Sequence, residues 1–198
     1  MQFLSLLERE NDLPPRLSRI YAPSQAIYRA GADGLAWRVK RGVVRLDNDD
    51  KHGTPGFASL AIAGDIVGCE TLLFGAYTFS ASALTPCELT PWPAGEAAST
   101  GDSLLASLAQ AQQRAADIVA LRGGQASERV LGLIRLLADA GGRVALPTRQ
   151  DIADITDLRM ETISRIIKAL ERACVLLPLK IQGIHATRGY SLNLSRAV

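Results

Sequence analysis

Residues 147–172 read PTRQDIADITDLRMETISRIIKALER, and this stretch predicts two short amphipathic helices separated by a tight turn. The first helix begins at Thr148, because its hydroxyl oxygen can accept a backbone N–H of the first turn while Asp151 reaches back in a capping box. Ile152 and Ile155 then form one apolar face. Ala153 is small enough for a second helix to cross this one closely.

The second helix has an apolar face and a polar face. Its inward positions follow spacings of three, four and seven residues. They are Ile163, Ile166, Ile167 and Leu170. The outward positions are Glu161, Ser164, Arg165, Lys168 and Arg172. Arg can donate two hydrogen bonds to guanine, Glu can accept one from cytosine, and Lys supplies charge to phosphates. The two helices are therefore typical of a DNA-binding helix-turn-helix; the alternative is a surface helix whose charges are merely solvated.

Two short patterns in this stretch resemble the winged helix-turn-helix of the cyclic-AMP receptor / fumarate-nitrate reduction regulator (CRP/FNR) family. They are RQDIA at 149–153 and ETISR at 161–165. The E-x-x-S-R pattern is similar to the fumarate-nitrate branch, because the cyclic-AMP branch has Gly at the position of Ser164 and Arg at that of Met160. The resemblance implies a sequence-specific regulator that reads half-sites close to TTGAT.

The resemblance also implies a division of contacts. Base edges are expected to be read by Glu161, Ser164 and Arg165. The expected phosphate contacts are Thr148, Arg149, Gln150, Arg159, Thr162 and Lys168. Relatives usually cap the recognition helix with Ser or Thr, where this chain has Arg159, so an earlier start capped by Asp157 is an alternative.

Composition describes an ordinary globular chain of one large or two small domains, with 198 residues, 47% hydrophobic and 21% charged. The net charge is only +2. Residues 148–198 hold 8 Lys and Arg against 5 Asp and Glu, whereas residues 1–147 hold 14 against 15. The excess of positive charge thus lies in the region that contains the helix-turn-helix, and positive charge favours binding to the DNA phosphates.

The three cysteines, Cys69, Cys87 and Cys174, are widely spaced and odd in number. This pattern favours reduced thiols over a disulfide or zinc framework. Residues 3–9 predict a short helix, and the N-terminal region contains no run long enough for a signal peptide or a membrane span. We expect a cytoplasmic protein with no membrane partner.

Upstream of residue 101, short apolar runs bounded by Gly, Pro, Asp and Asn predict antiparallel strands. The runs are 19–21, 26–28, 35–39, 43–46, 57–62, 66–67, 79–84 and 87–89, with a polar hairpin tip at 47–53. Residues 37–46, with Gly42 in their middle, and 63–68, AGDIVG, resemble the β-roll sensor domain of the same family.

Residues 102–122 predict a long helix with a coiled-coil seam. The seam positions are Leu105, Leu108, Gln112, Ala115 and Val119. A second apolar face, formed by Leu104, Ala111 and Ile118, can pack on the sensor domain. We therefore expect a parallel, two-fold homodimer.

The glycine pair 123–124 predicts a hinge between sensor and DNA reader. It is followed by a helix over 126–140, with an inward face of Val130, Ile134 and Leu137. Residues 176–194 are expected to form the wing, where Lys180 and Arg188 are either phosphate contacts or plain surface charges.

The predicted fold class is α+β: an N-terminal antiparallel β-roll similar to the cyclic-nucleotide-binding jelly roll, a long dimerisation helix and a C-terminal winged helix-turn-helix. The corresponding domains are 1–101, 102–122 and 123–198.

The family's cyclic-nucleotide cassette begins G-E and ends R-S, with the Glu on the ribose and the Arg on the phosphate. Residues 68–81, GCETLLFGAYTFSA, resemble it without gaps but are degenerate. Gly68 and Ser80 match, whereas Cys69 replaces the Glu and Phe79 replaces the Arg. Glu70 can shift into the ribose role, but an aromatic ring cannot neutralise a buried phosphate. Control by cyclic nucleotide is therefore not expected.

No cofactor is expected either. An iron-sulfur cluster needs several cysteines, and residues 1–68 contain none; Cys87 matches a cluster ligand of the oxygen-sensing relatives but is interpreted as a buried strand residue. His52 and His185 are the two histidines, and neither lies in an apolar stretch of the sensor, which leaves haem open but unsupported. A redox role for Cys69 or Cys174 also stays open.

The sequence thus predicts a homodimeric transcription regulator whose partners are double-stranded DNA and, for an activator, RNA polymerase. The alternative hypothesis is a β-roll module that binds a ligand or a protein and does not bind DNA. No catalytic constellation is present in the sequence, so an enzyme is not expected.

Overall fold

A computed structural model describes residues 18–49, 55–92, 104–180 and 188–193. The chain forms two compact units, and the division between them falls inside the long helix, between Gln112 and Gln113. The segment Pro55–Leu60 belongs to the second unit. The predicted domain limits stay predictions. Several predicted features lie outside the described residues: the helix at 3–9, the hairpin tip at 50–53 with His52, residues 93–103 and the wing tip at 181–187 with His185.

Eight strands form two antiparallel sheets with the orders β1-β8-β3-β6 and β2-β7-β4-β5. All of them lie in the first unit except the Pro55–Leu60 part of β5. Their strands are β1 Arg19–Tyr21, β2 Ala26–Tyr28, β3 Ala36–Arg41, β4 Val43–Asp49, β5 Pro55–Ile62, β6 Ile66–Val67, β7 Ser80–Ala83 and β8 Cys87–Trp92. Alternating burial along β8 puts Cys87 and Leu89 in the core, where they meet Trp37, Val39 and Val44. The predicted strands are confirmed, with ends that differ by a few residues.

The turn between β3 and β4 requires a glycine. Gly42 has φ +85°, and a Cβ there would overlap the carbonyl oxygen of Pro86. Only glycine combines this backbone conformation with the close approach of the neighbouring chain.

The sequence did not predict a four-residue helix, α1 Thr71–Phe74, which follows β6. It is too short for a helical period to be visible. Gly75, at φ 76°, ends it in the left-handed conformation.

Apart from the Pro55–Leu60 part of β5, the described residues of the second unit form helices and one small sheet. Its elements are the C-terminal part of α2 Leu104–Ala120, then α3 Ala126–Leu137, β9 Arg143–Ala145, α4 Arg149–Thr156, α5 Met160–Arg172, β10 Leu176–Pro178 and β11 Gly189–Leu192. The sheet has the order β10-β11-β9 and is antiparallel. Buried side chains of the three helices α3, α4 and α5 form the core, including Val130, Ile134, Ile152, Ile155 and Ile163.

Helix α3 ends three residues earlier than predicted. Ala138 is extended, and the Asp139 carboxylate accepts hydrogen bonds from the backbone N–H groups of Gly141 and Arg143. Such side-chain bonds to local backbone compete with helix, so the chain turns into β9 instead. None of the helices in the described ranges combines the length and the apolar composition that crossing a membrane requires.

Candidate nucleic-acid interface

Helix α4 starts with the predicted capping box. The Thr148 hydroxyl oxygen accepts from the Asp151 backbone N–H at 3.1 Å, and the Asp151 carboxylate accepts from the Thr148 backbone N–H at 3.1 Å. The same carboxylate accepts from the Thr148 hydroxyl at 2.6 Å. The cap fixes where α4 begins and so sets the position of the turn that follows it.

The turn between α4 and α5 contradicts the alternative cap of the recognition helix. Asp157 adopts the left-handed conformation, with φ 53°, and closes α4 by donating its backbone N–H to the Ala153 carbonyl. Arg159 is the N-cap of α5, with φ −71° and ψ 143°, and makes no side-chain cap hydrogen bond. The earlier start capped by Asp157 is therefore wrong, because that residue is used to end the preceding helix.

Helix α5, the predicted recognition helix, presents the polar face that the sequence predicted. Ile163 and Ile167 are buried, whereas Glu161, Arg165 and Lys168 are exposed. Ser164 and Thr162 are half-buried between them. Backbone N–H groups of the first turn and the exposed side chains together form a surface that can donate to phosphates and reach base edges.

Several predicted phosphate contacts have partners within the protein. Gln150 donates to Asp154 at 2.7 Å, and Thr148 is engaged in the cap. Arg149 is half-buried, and its positive charge near Tyr190 opposes the rise in the pKa of that tyrosine. Arg159 is exposed at the start of α5. The phosphate roles of these residues stay predictions.

A buried tyrosine connects the wing to the recognition helix. The hydroxyl of Tyr190, in β11, donates to the Glu171 carboxylate in the last turn of α5 at 2.6 Å. Burial, followed by the hydrogen bond and the negative charge of Glu171, raises the pKa of Tyr190 to about 12. This pair was not predicted from the sequence, although an acidic residue in the last helical turn opposes the helix dipole and so indicates a partner.

We predict that Tyr190→Phe lowers the free energy of unfolding by about 1.5 kcal/mol at pH 7, because the bond to a charged acceptor is lost. The neutral hydroxyl is the form that folding favours, since its pKa lies above the ordinary value of 10.0. The stabilisation is therefore complete below pH 10 and is lost as pH rises towards the folded pKa of about 12. Denaturant unfolding of both proteins across this range measures it. A difference between them that does not shrink above pH 10 would contradict the assignment.

The described part of the wing uses Arg188 structurally. Its Nε donates to the Leu146 carbonyl at 2.7 Å, and the Leu146 backbone N–H returns a bond to the Arg188 carbonyl at 2.8 Å. Lys180 is exposed. Arg188 thus holds β11 beside the strand that leads into α4.

The predicted seam of α2 is exposed where its side chains are described. Gln112 and Ala115 are exposed, and Val119 is 73% exposed. Ile118, on the other face, is buried. The side chains of Leu105 and Leu108 lie outside the description. A large exposed valine on one face of an otherwise anchored helix is the kind of position that a partner covers.

Within the cassette-like segment 68–81, the side chain of Tyr77 packs back against the protein. Tyr77 stacks on Tyr28 with ring centroids 3.8 Å apart and donates to the Leu35 carbonyl at 2.7 Å. Its ring fills the space beside Gly68, where a Cβ would come within 2.6 Å of it. Glu70 accepts from the Thr78 backbone N–H at 3.2 Å. The Tyr77 hydroxyl and the Glu70 carboxylate thus both bind to backbone groups of the chain itself.

The remaining cassette positions offer no cation. Ser80 uses its oxygen to accept from the Ala30 backbone N–H at 3.1 Å, and Phe79 is half-buried. Residues 68–81 contain no Lys or Arg. An anionic ligand in this segment would face Glu70 without a neutralising partner.

The cysteines are free among the described residues. Cys87 is buried, and its thiol donates to the Val43 carbonyl at 3.1 Å; burial raises its pKa to about 11, which confirms it as a strand core residue. Cys69 is exposed, yet partial burial of its thiol and the Glu70 carboxylate raise its pKa. A raised pKa lowers the thiolate fraction and so the reactivity of that thiol. Within the described ranges, no three His, Cys, Asp or Glu side chains cluster as metal ligands would.

No family model matches the chain. The nitrogen fixation regulation protein FixK of Rhizobium meliloti is 31% identical over 170 residues, which cover 82% of this chain and 80% of that protein. Two solved structures share the fold. A CRP-family transcriptional regulator from Thermus thermophilus has a TM-score of 0.66 at 23% identity, over 90% of this chain and 94% of its own. FixK2 from Bradyrhizobium japonicum has a TM-score of 0.65 at 24% identity, over 92% and 95%. FixK is a nitrogen fixation regulation protein, and the Thermus protein is a transcriptional regulator.

Proposed function

Because the chain belongs to the CRP/FNR family of transcription regulators, we propose that it binds DNA sequence-specifically as a homodimer on a palindromic site. The proposal adds three points to the family assignment: which residues read the bases, how two copies assemble, and that no cyclic nucleotide is needed. For an activator, RNA polymerase would be a further partner.

The observation that carries the proposal is the exposed face of α5. Glu161, Arg165 and Lys168 point away from a core built on Ile163 and Ile167. The described residues engage the Arg165 guanidinium only through Thr162, at 3.5 Å, a distance that makes this a weak bond. The side chain is therefore available for a guanine, whose O6 and N7 accept two hydrogen bonds.

Assignment of bases follows from the E-x-x-S-R pattern. We propose half-sites close to TTGAT, with Arg165 on the guanine and Glu161 accepting from a cytosine amino group. Ser164 can contact either type of base edge. Lys168, one turn further along and exposed, would lie at the phosphate backbone.

Dimerisation through α2 would supply the two-fold symmetry of the site. The exposed seam of Gln112, Ala115 and Val119 gives two parallel helices a continuous contact face. Two recognition helices would then enter successive major grooves, roughly 34 Å apart. The predicted target is for this reason a palindrome.

Independence from cyclic nucleotide is supported by the Tyr77 ring beside Gly68 and by the missing cation. A nucleotide would have to displace the Tyr28–Tyr77 stack and leave its phosphate unneutralised, which costs several kcal/mol. The protein would thus bind DNA without such an effector.

We predict that calorimetric titration with cyclic AMP gives no heat of binding in the micromolar range, and that duplex affinity is the same with and without it. The physical reason is the replacement of the phosphate-binding Arg by Phe79. Heat with one nucleotide per subunit would contradict this prediction.

The experiment that tests the function is selection of bound sequences from a random DNA pool. The proposal predicts enrichment of inverted repeats with TTGAT-like halves. The rival, a β-roll module without DNA binding, predicts that no sequence is enriched.

A further inference from the structure

The glycine pair at 123–124 was predicted to be a hinge, yet two arginines bind across it. Arg122 immediately precedes the pair, two residues beyond the end of α2. Its Nη2 donates to the Asp154 carbonyl at 2.9 Å, and its Nε donates to the Ile155 carbonyl at 3.2 Å. One side chain thus links the end of α2 to the last turn of α4, within the second unit.

Arg129, in the first turn of α3, makes the second set of bonds. Its Nε donates to the carbonyls of Gly123 at 3.2 Å and Gly124 at 3.1 Å. Its Nη1 donates to the Thr156 carbonyl at 3.3 Å. Arg129 therefore binds both the backbone carbonyls of the glycine pair and the end of α4.

The chemistry of a helix terminus explains why arginine occurs at both positions. The last carbonyls of a helix lack intrahelical donors and carry partial negative charge. The last turn of α4 contains no basic residue of its own. Arg122 and Arg129 supply the missing charge and three donors from outside the helix.

The backbone of the pair is also specific. Gly124 has φ +73°, and a Cβ there would come within 2.8 Å of the Glu128 carboxylate, whereas a Cβ on Gly123 would meet its nearest atom, the Ala120 carbonyl oxygen, only at 3.9 Å. Glu128 in turn accepts from the Gln125 backbone N–H at 3.0 Å. The segment is a tight, bonded turn that needs one glycine, and the other is not required by its conformation.

We propose that Arg122 and Arg129 form a latch that fixes the end of α2 to the C-terminus of α4, and that this latch sets the half-site spacing the dimer accepts. The inference rests on the proposed function, because only a two-fold dimer on a palindrome has a spacing to choose. In this proposal the latch holds the helix-turn-helix, α4 and α5, in a fixed orientation to the end of the dimerisation helix α2. The two arginines are positioning residues and do not contact DNA bases in this proposal.

Half-site spacing is a sensitive readout of such rigidity. Inserting one base pair between half-sites moves one of them by about 3.4 Å and rotates it by about 34°. A rigid dimer loses its fit on the altered site, whereas a dimer with loose readers follows the displacement. Reading of bases within each half-site is unchanged in either case.

The test measures affinity of the full-length protein for duplexes that carry the selected half-sites at the preferred spacing and with one base pair inserted or removed. Arg122→Lys with Arg129→Lys keeps both charges but removes the forked donors. We expect wild-type protein to prefer its optimal spacing by about tenfold or more, and the double variant to prefer it by about threefold or less. Arg135→Lys, at an exposed position of α3, is the matched control and should behave as wild type.

The outcomes separate the latch from the function beneath it. Equal spacing preference in wild type and the double variant overturns the latch while leaving the proposed function intact. A wild-type protein that binds the half-site but has no spacing preference overturns the two-fold dimer, and the latch with it. Should the double variant not fold, Arg122→Lys alone carries the comparison.

A second variant tests the same inference in the opposite direction. Gly123→Ala removes backbone freedom at a position with room for a methyl group. A latched turn predicts unchanged spacing preference and unchanged affinity. A flexible hinge predicts that the substitution alters both, and that result would overturn the proposal.

Discussion

Val119→Glu is expected to convert the protein from a dimer to a monomer at micromolar concentration and to lower its affinity for a palindromic site by about a hundredfold or more. In a parallel two-fold seam the two substituted side chains face each other, so two carboxylates would be placed together in an apolar contact. Val119 is 73% exposed in one chain, and its replacement should leave the fold of that chain intact.

Sedimentation and titration of a labelled duplex measure the two effects. Gln110→Glu is the matched control, because Gln110 is exposed and lies about two and a half turns from Val119, on the opposite side of α2. Leu108→Glu tests the same seam further towards the N-terminus. A Val119→Glu protein that still sediments as a dimer would show that another surface joins the two copies.

Arg165→Ala is expected to weaken binding by about 1 to 3 kcal/mol per half-site, and so by about twice that on a palindrome. The guanidinium is exposed on α5 and, in the proposal, makes two bonds to the guanine of TTGAT. The loss should be confined to the preferred sequence, because changing the G·C pair already removes those bonds for wild-type protein. Titrations against the selected site and its single-base variants measure this relaxation of preference.

Lys168→Ala is the contrasting variant on the same helix. A phosphate contact contributes equally to every sequence, so its removal should weaken all sites alike and lower the slope of log affinity against log salt by about 1 per half-site. If Lys168→Ala changed the preferred base while Arg165→Ala weakened all sequences equally, the recognition helix would be rotated from the proposed orientation and the two roles would be exchanged.

What the sequence predicted well was specified locally. The capping box of Thr148 and Asp151, and the buried face of Ile152 and Ile155, depend on residues within one or two turns. The strands of the first unit were recognisable for the same reason, since apolar runs between turn residues mark each one. Gly42 was noted in the sequence only as part of a stretch that resembles the family. The structure shows why glycine is needed there: φ is positive, and a Cβ would overlap the Pro86 carbonyl oxygen.

What the sequence did not predict depends on distant contacts or on backbone conformation. The latch joins Arg122 to Ile155, and the Tyr190–Glu171 bond joins the wing to α5, so each links residues that are far apart in the sequence. The error at Asp157 has a different origin. Aspartate favours both an N-cap and a left-handed helix end, and only the geometry of the turn decides between them.

Titration of two labelled duplexes over a series of salt concentrations tests whether the protein is a sequence-specific DNA-binding dimer. One duplex carries two inverted TTGAT half-sites and the other is scrambled. We predict that log affinity for both falls linearly with log salt, and that at physiological salt the palindrome is bound about a thousandfold or more tightly than the scrambled duplex. Binding of neither duplex, or equal binding of both at every salt concentration, would contradict it.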